Sequence, residues 1–267
     1  MLFIFLIVLF TVGYTFLLNL IPTPGAWFIA IWILVALLLA ILTVVGFIIL
    51  FLTFAPRKNP TGKIRHFLLR SGVKLFIAIY HVRLEVEGKE NIPDQNETIV
   101  VYANHKSNMD PLLIYKALHR RLTAVGKKSL FQNWLMKNVQ LTFGAVALDR
   151  DNNREGAKQI VQAIRDIKNG VSMIIFPEGG IKSRDEEEMV SLRAGAYKLV
   201  TKTEATILPI SIIGSSEISK RKRNKRKDVK IIVHKPIRYN EFREMNTTEI
   251  GIMVEEIINN GVKNGEI

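Results

Sequence analysis

The first charged side chain in this 267-residue chain is Arg57, so the opening 56 residues must fold without a single Asp, Glu, Lys or Arg. Within them, Met1 to Leu20 as a helix would measure about 30 Å and Trp27 to Phe54 about 42 Å, at ~1.5 Å rise per residue. The hydrocarbon core of a bilayer is roughly 30 Å thick, so the second stretch crosses with tilt and the first just reaches. Ile-Pro-Thr-Pro-Gly-Ala at 21–26 breaks the run with two prolines and a glycine, the composition of a turn between two helices. A cleaved signal peptide is the alternative for the first stretch, but no basic leading region or small-residue cleavage site accompanies it. A membrane hairpin over residues 1–56 is therefore expected, either fully spanning or lying partly in one leaflet. Arg57, Lys58, Lys63 and Arg65 follow it directly. The positive-inside rule then predicts a cell-membrane protein whose remaining ~210 residues face the cytoplasm.

The net charge of +13 arises entirely after residue 56. A field of that sign suits an anionic membrane surface, an anionic substrate or nucleic acid. The absence of cysteine is compatible with a reducing compartment and excludes disulfide scaffolds.

Residues 57–80 read as an amphipathic interfacial connector, since TGKIRHFLLRSGVKLFIAI (62–80) carries apolar positions at helical spacing with basic residues between them. Residues 81–267 form the soluble domain. Strand-like runs occur at 82–88, 98–104, 122–126, 144–149, 171–176, 205–214 and 229–234, alternating with helical patterns at 111–120, 131–140, 154–169, 193–203 and 247–260. The predicted class is α/β, with a mixed, largely parallel sheet covered by helices. Several strands are near-continuous apolar runs, as expected when both faces are covered. In open sheets of this class the site lies at the carboxyl ends of the strands, where Asn104-His105 and Phe176-Pro177-Glu178-Gly179-Gly180 fall.

Three segments carry candidate chemistry. In NHKSNMD (104–110), His105 and Asp110 are five positions apart, about 140° around a regular helix, and cannot face each other on one. They meet if His105 ends a strand and the chain turns before a helix begins at Asp110-Pro111. The competing reading makes Asp110 an N-cap and Pro111 the first helical residue. In VSMIIFPEGGIKSR (171–184), a strand ends in flexible Gly179-Gly180 followed by Lys182, Ser183 and Arg184, which is either an anion cradle or an ordinary turn. In GAVALDRDNNR (144–154), Arg150 is either a bidentate phosphate clamp or half of a surface ion pair.

Taken together, HKSNMD as His-x4-Asp, KSLF with GAVALDR, FPEG and ILPI stand in order over residues 80–215. The chain thereby resembles the 1-acylglycerol-3-phosphate acyltransferases of bacterial phospholipid synthesis, within the glycerolipid acyltransferases. The resemblance implies His105 as general base, Asp110 as the group that holds it, and an acyl-acceptor site drawing on Lys128, Arg150, Glu178, Gly179, Gly180, Lys182 and Ser183. It also implies lysophosphatidic acid as acceptor and acyl-CoA or an acyl carrier protein as donor, with no cofactor or metal. One departure stands out. The family pattern FPEG-Thr-Arg-Ser reads FPEG-Gly-Ile-Lys-Ser here, so phosphate contact at that place falls to Lys182 or Arg184. Lysine is a point charge without the fork of arginine.

The residue chemistry agrees. An alcohol is a poor nucleophile at neutral pH, and a neutral imidazole within hydrogen-bond reach removes its proton as it attacks a thioester. A carboxylate behind the imidazole selects its tautomer, as in the triad enzymes, with the substrate hydroxyl in place of serine. No Gly-x-Ser-x-Gly elbow is present to support a serine hydrolase. Two other readings remain: an acyltransferase using a different lysolipid, and a non-catalytic, membrane-anchored anion-binding protein. The basic run Lys220–Lys227 is either a solvated loop or a contact for anionic headgroups or an acidic carrier protein. Nucleic acid is not expected, because no aromatics interleave the cations.

Overall fold

The computed structural model describes residues 2–21, 27–54, 62–148, 153–190, 193–220 and 225–265. It opens with α1 (Leu2–Leu18) and α2 (Trp27–Phe54) packed along one another. Ala36, Ala40 and Val44, four residues apart, bury one stripe of α2, where small side chains let two helices approach. Tyr14 and Thr43 share a 2.9 Å hydroxyl hydrogen bond across the pair. Elsewhere the two helices expose large apolar side chains such as Phe5, Phe16, Leu34 and Phe47. Among the described residues, α2 alone is long and apolar enough to cross a membrane. The first helix falls short of the sequence expectation, because its 17 residues reach only about 26 Å at ~1.5 Å per residue.

After α3 (Lys63–Ile79) comes the α/β domain: β1 (Val82–Glu87), β2 (Ile99–Ala103), α4 (Asp110–Leu118), β3 (Thr123–Lys127), α5 (Trp134–Phe143), β4 (Val146–Leu148), α6 (Asn153–Lys168), β5 (Met173–Ile175), α7 (Lys198–Thr203), β6 (Thr206–Ile213), α8 (Glu217–Lys220), β7 (Lys227–Val233), α9 (Tyr239–Phe242) and α10 (Thr247–Asn264). The seven strands lie in the order β1-β7-β6-β2-β5-β3-β4. Every pairing is parallel except β6 with β7. The mixed, largely parallel sheet expected from the sequence is thus present.

Alternation along the strands divides the core in two. On β2, Ile99, Val101 and Ala103 face one side with Leu113, Ile114 and Leu118 of α4, while Val100 and Tyr102 face the other with Ala163 and Ile167 of α6 and Val254 and Ile258 of α10. Both faces of β2 are covered, which is why it reads as five consecutive apolar residues. This central strand ends at the His105 turn, and its neighbour β5 ends at Phe176-Pro177-Glu178, so the topology brings two of the sequence motifs to one rim.

Candidate functional site

The site is built on the two turns that leave β2 and β5. Asn104 anchors the first: its amide donates to the Ile212 carbonyl at 2.8 Å and to the Glu187 carbonyl at 2.7 Å, and its Oδ1 accepts from the Ile212 amide at 2.8 Å. The chain then turns through Lys106–Met109 before α4 begins. This turn carries His105 and Asp110 together, with Nδ1 2.9 Å from Oδ2. The same Oδ2 accepts the backbone amides of Lys106 and Ser107, each at 2.8 Å. Asp110 is the first residue of α4 rather than its N-cap, and its carboxylate folds back onto the turn before the helix. The capping reading is therefore replaced by a turn clasp that also grips the histidine.

A carboxylate engaged by two amide donors takes the Nδ1 proton of a neutral imidazole, which leaves the Nε2 lone pair for a substrate. Phe176 stacks on the ring at a centroid distance of 4.0 Å and fixes its plane. Asp110 is fully buried, while the His105 side chain keeps 14% of its surface exposed, enough to meet a hydroxyl.

Glu178 has a different position from the one its motif suggested. It is fully buried, and Oε1 accepts the His105 backbone amide at 2.7 Å. Its Oε2 faces the ammonium of the fully buried Lys106 at 3.5 Å. Glu178 thus ties the β5 turn to the β2 turn and supports the histidine from behind. Glu187, expected in a solvated acidic stretch, accepts from Ser216 at 3.0 Å. Burial pushes its carboxyl above the ordinary range, and the Asp110 charge adds to this.

Gly179 has φ +73°, a backbone setting natural to glycine, and a Cβ there would stand 2.5 Å from Nε of Arg193. The Arg193 side chain consequently lies across the glycine, its backbone amide bonded to the Pro177 carbonyl at 3.1 Å. It is exposed, and its guanidinium has no carboxylate partner among the described residues. Sequence reasoning missed this residue by assigning it to the start of a helix. A cation just before a helix and after a glycine-rich loop was the available signal. Lys106 was likewise overlooked inside HKSNMD.

Lys182 is exposed on the same loop, and the hydroxyl of Ser183 accepts the amides of Asp185 and Glu186 at 3.2 and 3.4 Å, capping a turn. Gly180 also has positive φ, +147°. Lys128 is exposed on the turn after β3. Arg150 lies outside the described residues. In the basic run, Lys220 pairs with Asp185 at 2.6 Å, Arg226 with Asp228 at 2.8 Å, and Lys227 is fully buried with its ammonium on the Tyr80 carbonyl at 3.0 Å. These three cations have internal partners, so the run is not the uniformly solvated loop expected from its composition. No group of three or more His, Asp or Glu side chains arranged to hold a metal occurs among the described residues.

The family described as Acyltransferase matches residues 83–213, a span that begins in β1 and ends with β6. A probable 1-acyl-sn-glycerol-3-phosphate acyltransferase of Mycoplasma pneumoniae is 31% identical over 193 residues, covering 67% of this chain and 70% of the relative. The 1-acyl-sn-glycerol-3-phosphate acyltransferase of Borreliella burgdorferi is 28% identical over 149 residues, 56% of this chain and 58% of that protein. Among solved structures, the crystal structure of the 1-acyl-sn-glycerophosphate (LPA) acyltransferase PlsC from Thermotoga maritima superposes with a TM-score of 0.64 at 27% identity, covering 82% of this chain and 87% of that one. Fold, motif order and these likenesses define an acyl-transferring enzyme. The chain belongs to the 1-acyl-sn-glycerol-3-phosphate acyltransferase family.

Proposed function

We propose that this protein transfers a fatty acyl group from a thioester to the free hydroxyl of 1-acylglycerol-3-phosphate, making phosphatidic acid, with His105 as general base. The observation that carries the base assignment is the 2.9 Å contact from His105 Nδ1 to buried Asp110, which leaves Nε2 for the substrate. Nε2 takes the hydroxyl proton as the oxygen attacks the thioester carbonyl, and Asp110 steadies the imidazolium. The tetrahedral intermediate collapses with release of the thiolate, which recovers the proton from His105. No acyl-enzyme intermediate is needed. Glu178 and Lys106 are positioning residues, since they hold the His105 backbone rather than reach the substrate.

The acceptor phosphate is held by cations on the loop after β5. Arg193 supplies the fork that the departed FPEG block lacks, because its guanidinium lies over Gly179 without an internal partner. Lys182 adds a point charge, and Gly179, Gly180 and Ser183 shape the loop. Lys128 and Arg150 contribute from the β3 and β4 side of the rim. Residues 1–56 anchor the protein as an apolar hairpin, 57–80 connect at the interface, and 81–267 form the acyltransferase domain, facing the cytoplasm by virtue of Arg57, Lys58, Lys63 and Arg65. The donor is acyl-CoA or an acyl carrier protein.

The test is an assay of the purified full chain with lysophosphatidic acid and each donor in turn. Formation of phosphatidic acid with at least one donor is expected. Absence of product with both donors, while another lysolipid is acylated, would overturn the acceptor assignment.

A further inference from the structure

A second polar concavity lies at the other end of the domain from His105. α4 begins at the catalytic turn after β2 and runs back to the start of β3, so His119–Arg121 lie on the opposite rim of the sheet. From Asp110 to His119 is about 13 Å along the helix at ~1.5 Å per residue. There the first turns of α3 meet the end of α4 around a cavity of about 410 Å³.

Its floor is buried and polar, made of His66, Ser71, Tyr115 and Arg120, with His66 and Tyr115 hydrogen-bonded to each other. Its rim is Lys63, Arg70, Lys74 and Arg121, all exposed, and no carboxylate lines it. Arg120 is buried and donates to the carbonyls of Pro93 and Glu97, yet its Nε has no acceptor among the described residues. The nearby carboxylates, Asp94 and Glu97, act on Arg120 from outside the cavity.

The surplus of positive charge is felt locally. His119 accepts a hydrogen bond at Nδ1 from Arg70 at 2.7 Å, and burial together with Lys116, Arg70, Lys74 and Lys89 holds it below the ordinary histidine value. Like charges gathered this closely around a concavity repel one another until an anion enters.

The surroundings identify the anion. α3 packs against α1, and α2 against α5, so the apolar hairpin abuts the helices of this end of the domain. Phe67, 57% exposed, stands on the rim among the cations, an apolar side chain beside charges as at a membrane surface. We propose that the α3–α4 cavity is a second anion site, separate from the acyl-acceptor site, that binds the phosphate headgroup of an anionic membrane phospholipid, with Phe67 against its acyl chains. The proposal rests on the hairpin lying in a bilayer and is independent of the base assignment.

The test uses the full chain in neutral nanodiscs doped with a phosphatidylglycerol whose photoreactive group sits near the headgroup. Crosslinks are expected on residues 63–74 and 115–121, competed by phosphatidylglycerol but not by phosphatidylcholine. The Arg70→Ala/Arg121→Ala variant should lose them at least tenfold, since a cation near an anionic surface contributes roughly a fivefold factor. Arg70→Lys/Arg121→Lys should retain most of them, which with an unchanged melting temperature separates lost binding from lost folding. Labelling confined to the Gly179–Arg193 loop, labelling unchanged in the alanine variant, or equal competition by inorganic phosphate or by acidic acyl carrier protein would overturn the proposal. Because no turnover is read, a failed acyltransferase assay leaves this outcome distinct.

Discussion

The two ends of α4 place charge in opposite ways. At its start, Asp110 is fully buried and one oxygen receives three donors from within the protein, while Lys106 and Glu178 neutralise each other nearby. At its end, Arg70, Lys74, Arg121 and His119 face a cavity with no carboxylate on its wall. A network satisfied internally fixes geometry, which a general base requires, whereas cations left without an internal partner invite one from outside. One nine-residue helix thus joins a pre-organised end to a receptive one.

If this contrast is correct, substitutions at the two ends should fail in different ways. The largest effect is expected from His105→Ala, which should lower kcat by about 10²–10⁴-fold, as removal of a general base typically does. Its melting temperature should stay near that of the parent, because the ring supports no other element; a steady-state assay paired with a thermal melt checks both. Glu178→Ala should do the reverse in kind, destabilising the fold by about 3–5 kcal/mol by leaving Lys106 buried and unpaired. Denaturant unfolding measures this, and a loss below about 1 kcal/mol would show that Lys106 finds another partner.

Arg193→Ala should cost about ten- to hundredfold in kcat/KM for lysophosphatidic acid, the range of one charge-assisted contact. It should cost much less for a monoacylglycerol that lacks the phosphate. Lys182→Ala should act in the same direction but more weakly, and equal losses on both acceptors would make Arg193 a loop-packing residue instead.

The smallest effect concerns acid stability at the far end. His119 is held below its ordinary value of 6.5, so the unfolded chain takes up a proton that the native state resists. Its stabilising contribution is full above about pH 6.5 and declines as the pH falls through that value towards the folded pKa. His119→Asn suits the left-handed backbone at this residue, φ 52°, and should flatten the acid side of a melting-temperature profile. Anionic lipid in the cavity should flatten it too, by offsetting the surrounding cations.

Much of this architecture was legible in the sequence because burial imposes regular patterns. All seven strands were located from apolar runs, and α2 from 28 residues without charge. The short α8 and α9 have no such period and went unread, and α1 ended sooner than its composition implied. At the site, His105 and Asp110 could be named from their spacing, but contact required a turn that spacing alone does not dictate. The roles of Glu178 and Arg193 depend on β2 lying beside β5 and on a missing Cβ at Gly179, relations that become local only after folding. The α3–α4 cavity was hidden for the same reason, since its cations lie about fifty residues apart in the chain.

The central claim is that His105 and Asp110 act as one unit at the start of α4, and a double-mutant cycle on kcat tests it most directly. With His105→Ala, Asp110→Asn and the double variant measured on lysophosphatidic acid, the double variant should be no slower than His105→Ala alone, because Asp110 has nothing to hold once the imidazole is gone. Losses that multiply, or near-native turnover in His105→Ala, would contradict the account.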